Sequence, residues 1–417
     1  MKNSSWLFTF IVIVADLFSG CQSNDAETFK YLIISEDAVE IVEMVDKNYT
    51  GYLQIPSKAI VSGKEMNVTS IGENAFKNCD KIDSVKIPDG ITKISRLAFD
   101  NCDNIKSISL PTSIETIEES AFYHCQSLTT INIPEKLTEI PSQMLYHCES
   151  LAHLTIPESV LSIGKRAFEG CKKLQSISVD ERNNSYISIN GILYSKDSTI
   201  LIQCPSGKSG DIVIPEGVQT IGEGAFHWCE QMENVQIPQS VKYIQSQAFS
   251  HCDNISTIIL PDSLLSLGSS VFSECEKLQK INIPKNIHEI DGFAGCGFKS
   301  FKIPNTICAI KAFAFTGCNE LESISIPSSV EEIGDGAFFA CGKLAVVTME
   351  EGVKSLGKEA FACCEPLSSI LIPQSVQFIG HDAFAGCKNL SIVKMPQCKT
   401  DGSIFDDESN KMKVIYY

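Results

Sequence analysis

Apolar and polar positions along most of the chain repeat every 23 residues, as in HLTIPESVLSIGKRAFEGC, residues 153 to 171. In the equivalent TINI, residues 130 to 133, apolar Ile131 and Ile133 alternate with polar Thr130 and Asn132, which predicts a strand buried on one face. Pro134 follows; without an N–H to donate it ends the ladder and turns the chain. The same proline returns at Pro88, Pro111, Pro157, Pro215, Pro238, Pro261, Pro284, Pro304, Pro327, Pro373 and Pro396. A second apolar pair, Val160 and Ile163, precedes Gly164, whose access to positive φ predicts a second corner. The closing KRAFEGC is too short for an independent helix and predicts one helical turn held down by Ala167, Phe168 and Cys171. The unit reads L-x-x-I-x-I-P-x-x-V-x-x-I-G-x-x-A-F-x-x-C-x-x. Burying the apolar side chains of one unit returns less than the entropy lost in ordering it, so each unit needs neighbours. A fixed period of this size predicts an α/β repeat solenoid, mostly β.

The unit's cysteine marks the array. It stands at Cys79, Cys102, Cys125, Cys148 and Cys171, then after a gap of 58 at Cys229, Cys252, Cys275, Cys296, Cys318, Cys341, Cys364 and Cys387, which makes 13 of 18 cysteines. The gap is one unit plus 35 residues; its turn signals Asn190-Gly191 and Lys196-Asp197-Ser198 predict a β-meander insertion over 180–211. The repeat array is expected over 67–179 and 212–398, a β-rich cap over 29–66, and a second cap over 399–417, since an open solenoid end would expose a strand edge. Shortened steps around Cys296 predict a local kink between Ile290 and Phe298.

Free cysteine buried in an apolar row behaves as a small hydrophobe, so the repeated thiols are expected to stack as a structural column. Disulfides would have to join equivalent positions on successive units, and thirteen is an odd number. A zinc or iron–sulfur site needs clustered ligand pairs, and none of that spacing is present. His124 and His147 precede the cysteine on adjacent units and could lie near each other, but two histidines without a carboxylate make a poor metal site. Cys204, Cys308, Cys363 and Cys398 fall off the repeat position. No G-x-S-x-G, H-E-x-x-H, phosphate-binding loop or dinucleotide turn occurs, which leaves an enzyme without a constellation and no cofactor to expect. With 34 basic against 51 acidic residues and no basic run, nucleic acid is not an expected partner.

At the N-terminus Lys2 precedes an apolar run from Trp6 to Val14, too short to span a bilayer, which predicts a signal peptide over 1–20. Ser19-Gly20-Cys21 resembles the lipobox of bacterial lipoproteins, which implies lipidation of Cys21 and a linker over 21–28. Asp25 and Glu27 resemble signals that direct some lipoproteins to the surface. The expected location is therefore exported and lipid-anchored at the outer membrane or cell surface, with secretion as the alternative.

SIGKRAFEGCKKLQSISV and its copies resemble the BspA-type leucine-rich repeat of bacterial surface proteins, over about Asn67 to Pro396. Residues 48–76 and 186–208 resemble the opening segment and an insertion of such arrays. The resemblance implies a non-enzymatic adhesion protein that binds a protein or glycan on host or neighbouring cells. The outward strand positions are the candidate binding face: Thr130, Asn132, His153, Thr155, Asn234, Gln236, Thr257, Lys280, Asn282 and Lys302. The alternative is a structural or accessory envelope lipoprotein that partners another surface protein.

Overall fold

A computed structural model describes residues 28–405 and 413–417. The proposed signal peptide and Cys21 lie outside the described residues. The described residues divide into two compact units, the first ending at Lys196 and the second beginning at Asp197. Within each, successive coils stack so that the parallel β-bridges step by about one repeat.

In the first unit one parallel sheet grows from Gly51–Gln54 through Ile82–Lys86, Ser107–Ser109 and Thr130–Ile131, with register Ser84↔Ser107↔Thr130. A second, of two-residue strands, continues from Lys64–Ile71 through Lys93–Ile94 to Thr116–Ile117. An N-terminal hairpin, Phe29–Ile33 with Ala38–Met44, closes that sheet: Ala38–Met44 pairs parallel with Lys64–Ile71. The segment after the fifth repeat folds back as an antiparallel hairpin, Tyr186–Ile189 with Ile192–Ser195. Its turn residues Asn190 and Gly191 have φ of 53° and 78°, the conformation of a two-residue hairpin loop. The fully buried Asn183 holds the chain for this reversal: its Nδ2 donates to Pro157 and Val160 carbonyls, while Oδ1 accepts from the Ser185 and Tyr186 N–H groups.

The second unit repeats the plan. Its long-strand side includes Ser300–Lys302, Ser323–Ile326 and Val346–Met349, then Ser369–Leu371, Ile392–Met395 and Lys413–Tyr416. Short strands from Glu289–Ile290 to Lys399–Thr400 form an unbroken six-stranded parallel sheet. Eight phenylalanines stack through its core from Phe226 to Phe384, with adjacent centroids 4.8 to 5.8 Å apart. The shortened coil does not interrupt the stack. Phe293 stays buried between Phe272 and Phe315, and Phe298 and Phe301 pack against it.

Two local expectations change. The A-F-x-x-C segment is not a helical turn, and no helix occurs among the described residues. Two positions in each turn take positive φ, for example Leu97 and Asn101, Ser120 and His124, Gln247 and His251. Alternate N–H groups are thereby aimed at the next coil instead of back along the chain: Phe99 donates to Ala121 O at 2.8 Å and Asn101 to Tyr123 O at 2.9 Å. The turn side is thus a third hydrogen-bonded ladder. Gly164 does not have positive φ; it is glycine because a Cβ there would lie 2.3 Å from Ser142 N of the preceding coil. Gly268, Gly334, Gly357 and Gly380 face the same close approach.

Because Phe249 is sandwiched between Phe226 and Phe272 with no solvent exposure, Phe249→Ala should lower unfolding free energy by about 3–5 kcal/mol in urea titration. An unchanged midpoint would contradict the stacked core.

Candidate recognition surface

The thiol column does more than fill space. All thirteen repeat cysteines are buried, and eleven donate through Sγ to a carbonyl of the preceding coil at 3.1 to 3.3 Å, usually that of its phenylalanine. That carbonyl also accepts the Cys N–H of its own coil in several turns, as Phe76 O does from Cys79 at 3.0 Å. The thiol thus satisfies a second lone pair of that carbonyl. Burial pushes the thiols up: Cys102, Cys125 and Cys148 lie well above the ordinary 9.0, and Cys171, Cys275 and Cys318 are pushed up to about 12. These are inert groups, since reactivity belongs to the thiolate. Cys204 is also buried, Cys398 is half-buried, and Cys308 and Cys363 are exposed.

The long-strand side of the first unit presents Ser84 and Lys86, Ser107 and Ser109, Thr130 and Asn132 on registered coils. They line a shallow depression of about 570 Å³, bounded by the exposed ring of Tyr52. Thr130 in the depression and His153 and Thr155 outside it are exposed, and His153 Nδ1 lies 2.8 Å from Ser176 Oγ. Asn132 is committed elsewhere: its Oδ1 accepts the Leu110 N–H at 2.9 Å and its Nδ2 donates to Leu110 O at 2.8 Å. The side chain replaces a main-chain rung, and the strand there is only two residues long.

In the second unit, Asn234, Gln236, Thr257, Lys280, Asn282 and Lys302 lie on successive coils. Asn282 repeats the device of Asn132, pairing with Leu260 N and O at 2.7 and 2.9 Å. Asn234 Nδ2 donates to Asp211 Oδ1 at 2.6 Å. Gln236, Thr257, Lys280 and Lys302 point to solvent.

The turn sides carry aromatic stacks. His124 and His147 do meet, edge to face at 5.1 Å, beside Tyr123 stacked on Tyr146 at 4.8 Å. Burial, then His147, holds the His124 imidazole below its usual range. No group of three metal-ligating side chains forms among the described residues. In the second unit Trp228 stacks on His251 at 3.9 Å and 3°. That pair escaped the sequence reading, although both residues precede a repeat cysteine and the period would have found them. Carboxylates follow the cysteine in this unit: Glu230, Asp253 and Glu276, with Asp253 pushed up to about 6 by burial and then by Glu230 and Glu276.

Stacked parallel coils with a registered interior define a β-solenoid repeat protein. The BspA type leucine rich repeat model matches residues 64–196, 203–294 and 291–410, in six copies, and the chain belongs to that family. Leucine-rich-repeat solenoids are generally non-enzymatic. Among solved structures, a leucine-rich repeat protein of Eubacterium ventriosum is similar at 24% identity and a TM-score of 0.61, covering 91% of this chain and 97% of that one. The pneumococcal vaccine antigen PcpA is similar at 21% identity and a TM-score of 0.52, covering 87% and 93%. At this identity the likeness is one of fold. No curated protein matches the chain.

Two outcomes test the interior chemistry. A thiol raised in the folded state is neutral in both states below about pH 9, so its stabilising effect is complete there. Above pH 9 only the unfolded chain ionises, and stability should fall as pH rises toward 12; the slope should shrink in Cys275→Ala, and an identical slope would contradict the buried thiol ladder. Asn282→Ala should cost about 1–3 kcal/mol in urea unfolding, because it strands the Leu260 amide and carbonyl; no change would mean those groups are satisfied otherwise.

Proposed function

We propose that the chain is a non-enzymatic recognition protein, held at the cell surface by a lipid on Cys21, that binds a protein or glycan of a host or neighbouring cell. The observation that carries this reading is the hydroxyl-lined depression on the long-strand side of the first unit. Ser84, Ser107, Ser109 and Thr130 have side chains facing water on a backbone already fixed by its neighbours, so they can exchange water for a ligand with little ordering cost. Affinity then accumulates from many modest contacts along registered coils, which suits adhesion better than turnover. The family supports a binding scaffold, and the N-terminal sequence supports export and anchoring.

Bacteria displaying the whole chain should adhere to immobilised matrix proteins or to host cells, and Ser107→Glu with Thr130→Glu should reduce adhesion several-fold. Ser269→Glu, just after the short strand Ser266–Leu267 of the second unit, should not. Equal adhesion by the double variant, Ser269→Glu and the parent would remove the long-strand side as the binding surface. In the same cells Cys21→Ser should move the protein from the membrane fraction to the soluble fraction; lipid labelling that persists in this variant would refute the anchor.

A further inference from the structure

The long-strand side of the second unit departs from the charge of the chain as a whole. From Lys280 to Ile415 its two outward columns carry Lys280, Lys302, Lys394 and Lys413 and no carboxylate, in a chain with 51 acidic against 34 basic residues. A column beside them adds Lys299 and Glu322. Elsewhere in this unit, lysines are neutralised from coil to coil: Lys311 with Glu289, Lys343 with Glu320, Lys354 with Glu331 and Lys388 with Glu365. Lys280, Lys302, Lys394 and Lys413 have no such ion pair among the described residues. Between the two lysine groups the same columns turn aliphatic: Val346, Leu371 and Ile392 are 53%, 54% and 39% exposed, interleaved with Thr348 and Ser369. Four coil steps separate Lys302 from Lys394, about 19 Å at the usual spacing of paired strands.

We infer that this side of the second unit docks an extended acidic segment of a partner protein, its carboxylates on the two lysine groups and its aliphatic side chains on Val346, Leu371 and Ile392. Charge complementarity selects the ends of the segment and the aliphatic zone selects its middle. About six extended residues cover the 19 Å between the lysine groups. An anionic glycan would use the lysines but gain nothing from three exposed aliphatic side chains in place of hydroxyls or amides. The inference deepens the recognition reading above and rests on it, while using different residues.

The probe is a fluorescein-labelled nonapeptide with two glutamates at each end and alternating valine and threonine between, titrated against the whole chain by anisotropy. Binding should weaken steeply with added salt. Lys302→Glu with Lys394→Glu should weaken it at least tenfold, and Leu371→Ser several-fold. Lys343→Glu, which breaks a paired lysine on another side, should leave it unchanged; thermal midpoints of all variants should match the parent. Heparin that binds more tightly than the peptide, with Leu371→Ser without effect on either, would overturn the inference in favour of an anionic glycan. No peptide binding by a chain that still supports cell adhesion would overturn this inference alone; loss of both would overturn the recognition reading as well.

Discussion

Everything in this protein depends on coil-to-coil registration: each coil finds its hydrogen-bond partners and its dry surface in the next. Three ladders enforce it. Two are parallel sheets; the third runs through turns whose alternate N–H groups reach carbonyls one coil onward, as from Phe99 to Ala121. The thiol column adds a fourth set of bonds within the core, from Cys275 Sγ to Phe249 O and its equivalents. A coil shifted by one residue would turn Ile131 toward water and Thr130 inward, so the hydrophobic pattern fixes the register that the ladders then lock.

That constraint separates residues that build from residues that can recognise. Asn132 and Asn282 occupy outward strand positions, yet their amides complete the backbone pairing of Leu110 and Leu260. Thr130, Gln236, Thr257 and the lysines beside them are not used in this way, and they stand on a backbone that needs no rearrangement to receive a ligand. The rigid interior is what makes weak, distributed contacts additive.

The period, the strand positions, the proline corner and the inward phenylalanine were legible because each repeats with one meaning. The turn was not. Its positive-φ positions hold Asn78, Asn101, Gly170 and Gly386, which hint at left-handed backbone, but also Leu97, Trp228 and Glu274, which do not. There the neighbouring coil overrides local preference. Gly164 was visible as special for the wrong reason: the sequence shows a glycine, while the 2.3 Å approach of Ser142 N exists only once coils are stacked. The bonding roles of Asn132 and the thiols were hidden likewise, since both partners lie 22 to 26 residues away in sequence. That the two outward columns from Lys280 to Ile415 hold no carboxylate was in the sequence throughout, but meant nothing until the columns were aligned.

The registered interior is tested most directly by alkylating the native, unreduced protein with iodoacetamide and then, after denaturation, with a heavier isotopic form, reading each cysteine by mass spectrometry. The account predicts light label on Cys308 and Cys363, and heavy label alone on Cys102 through Cys171 and Cys229 through Cys387 at the repeat position. Light label distributed along that column, or cysteines there that take neither label because they are joined in pairs, would contradict it.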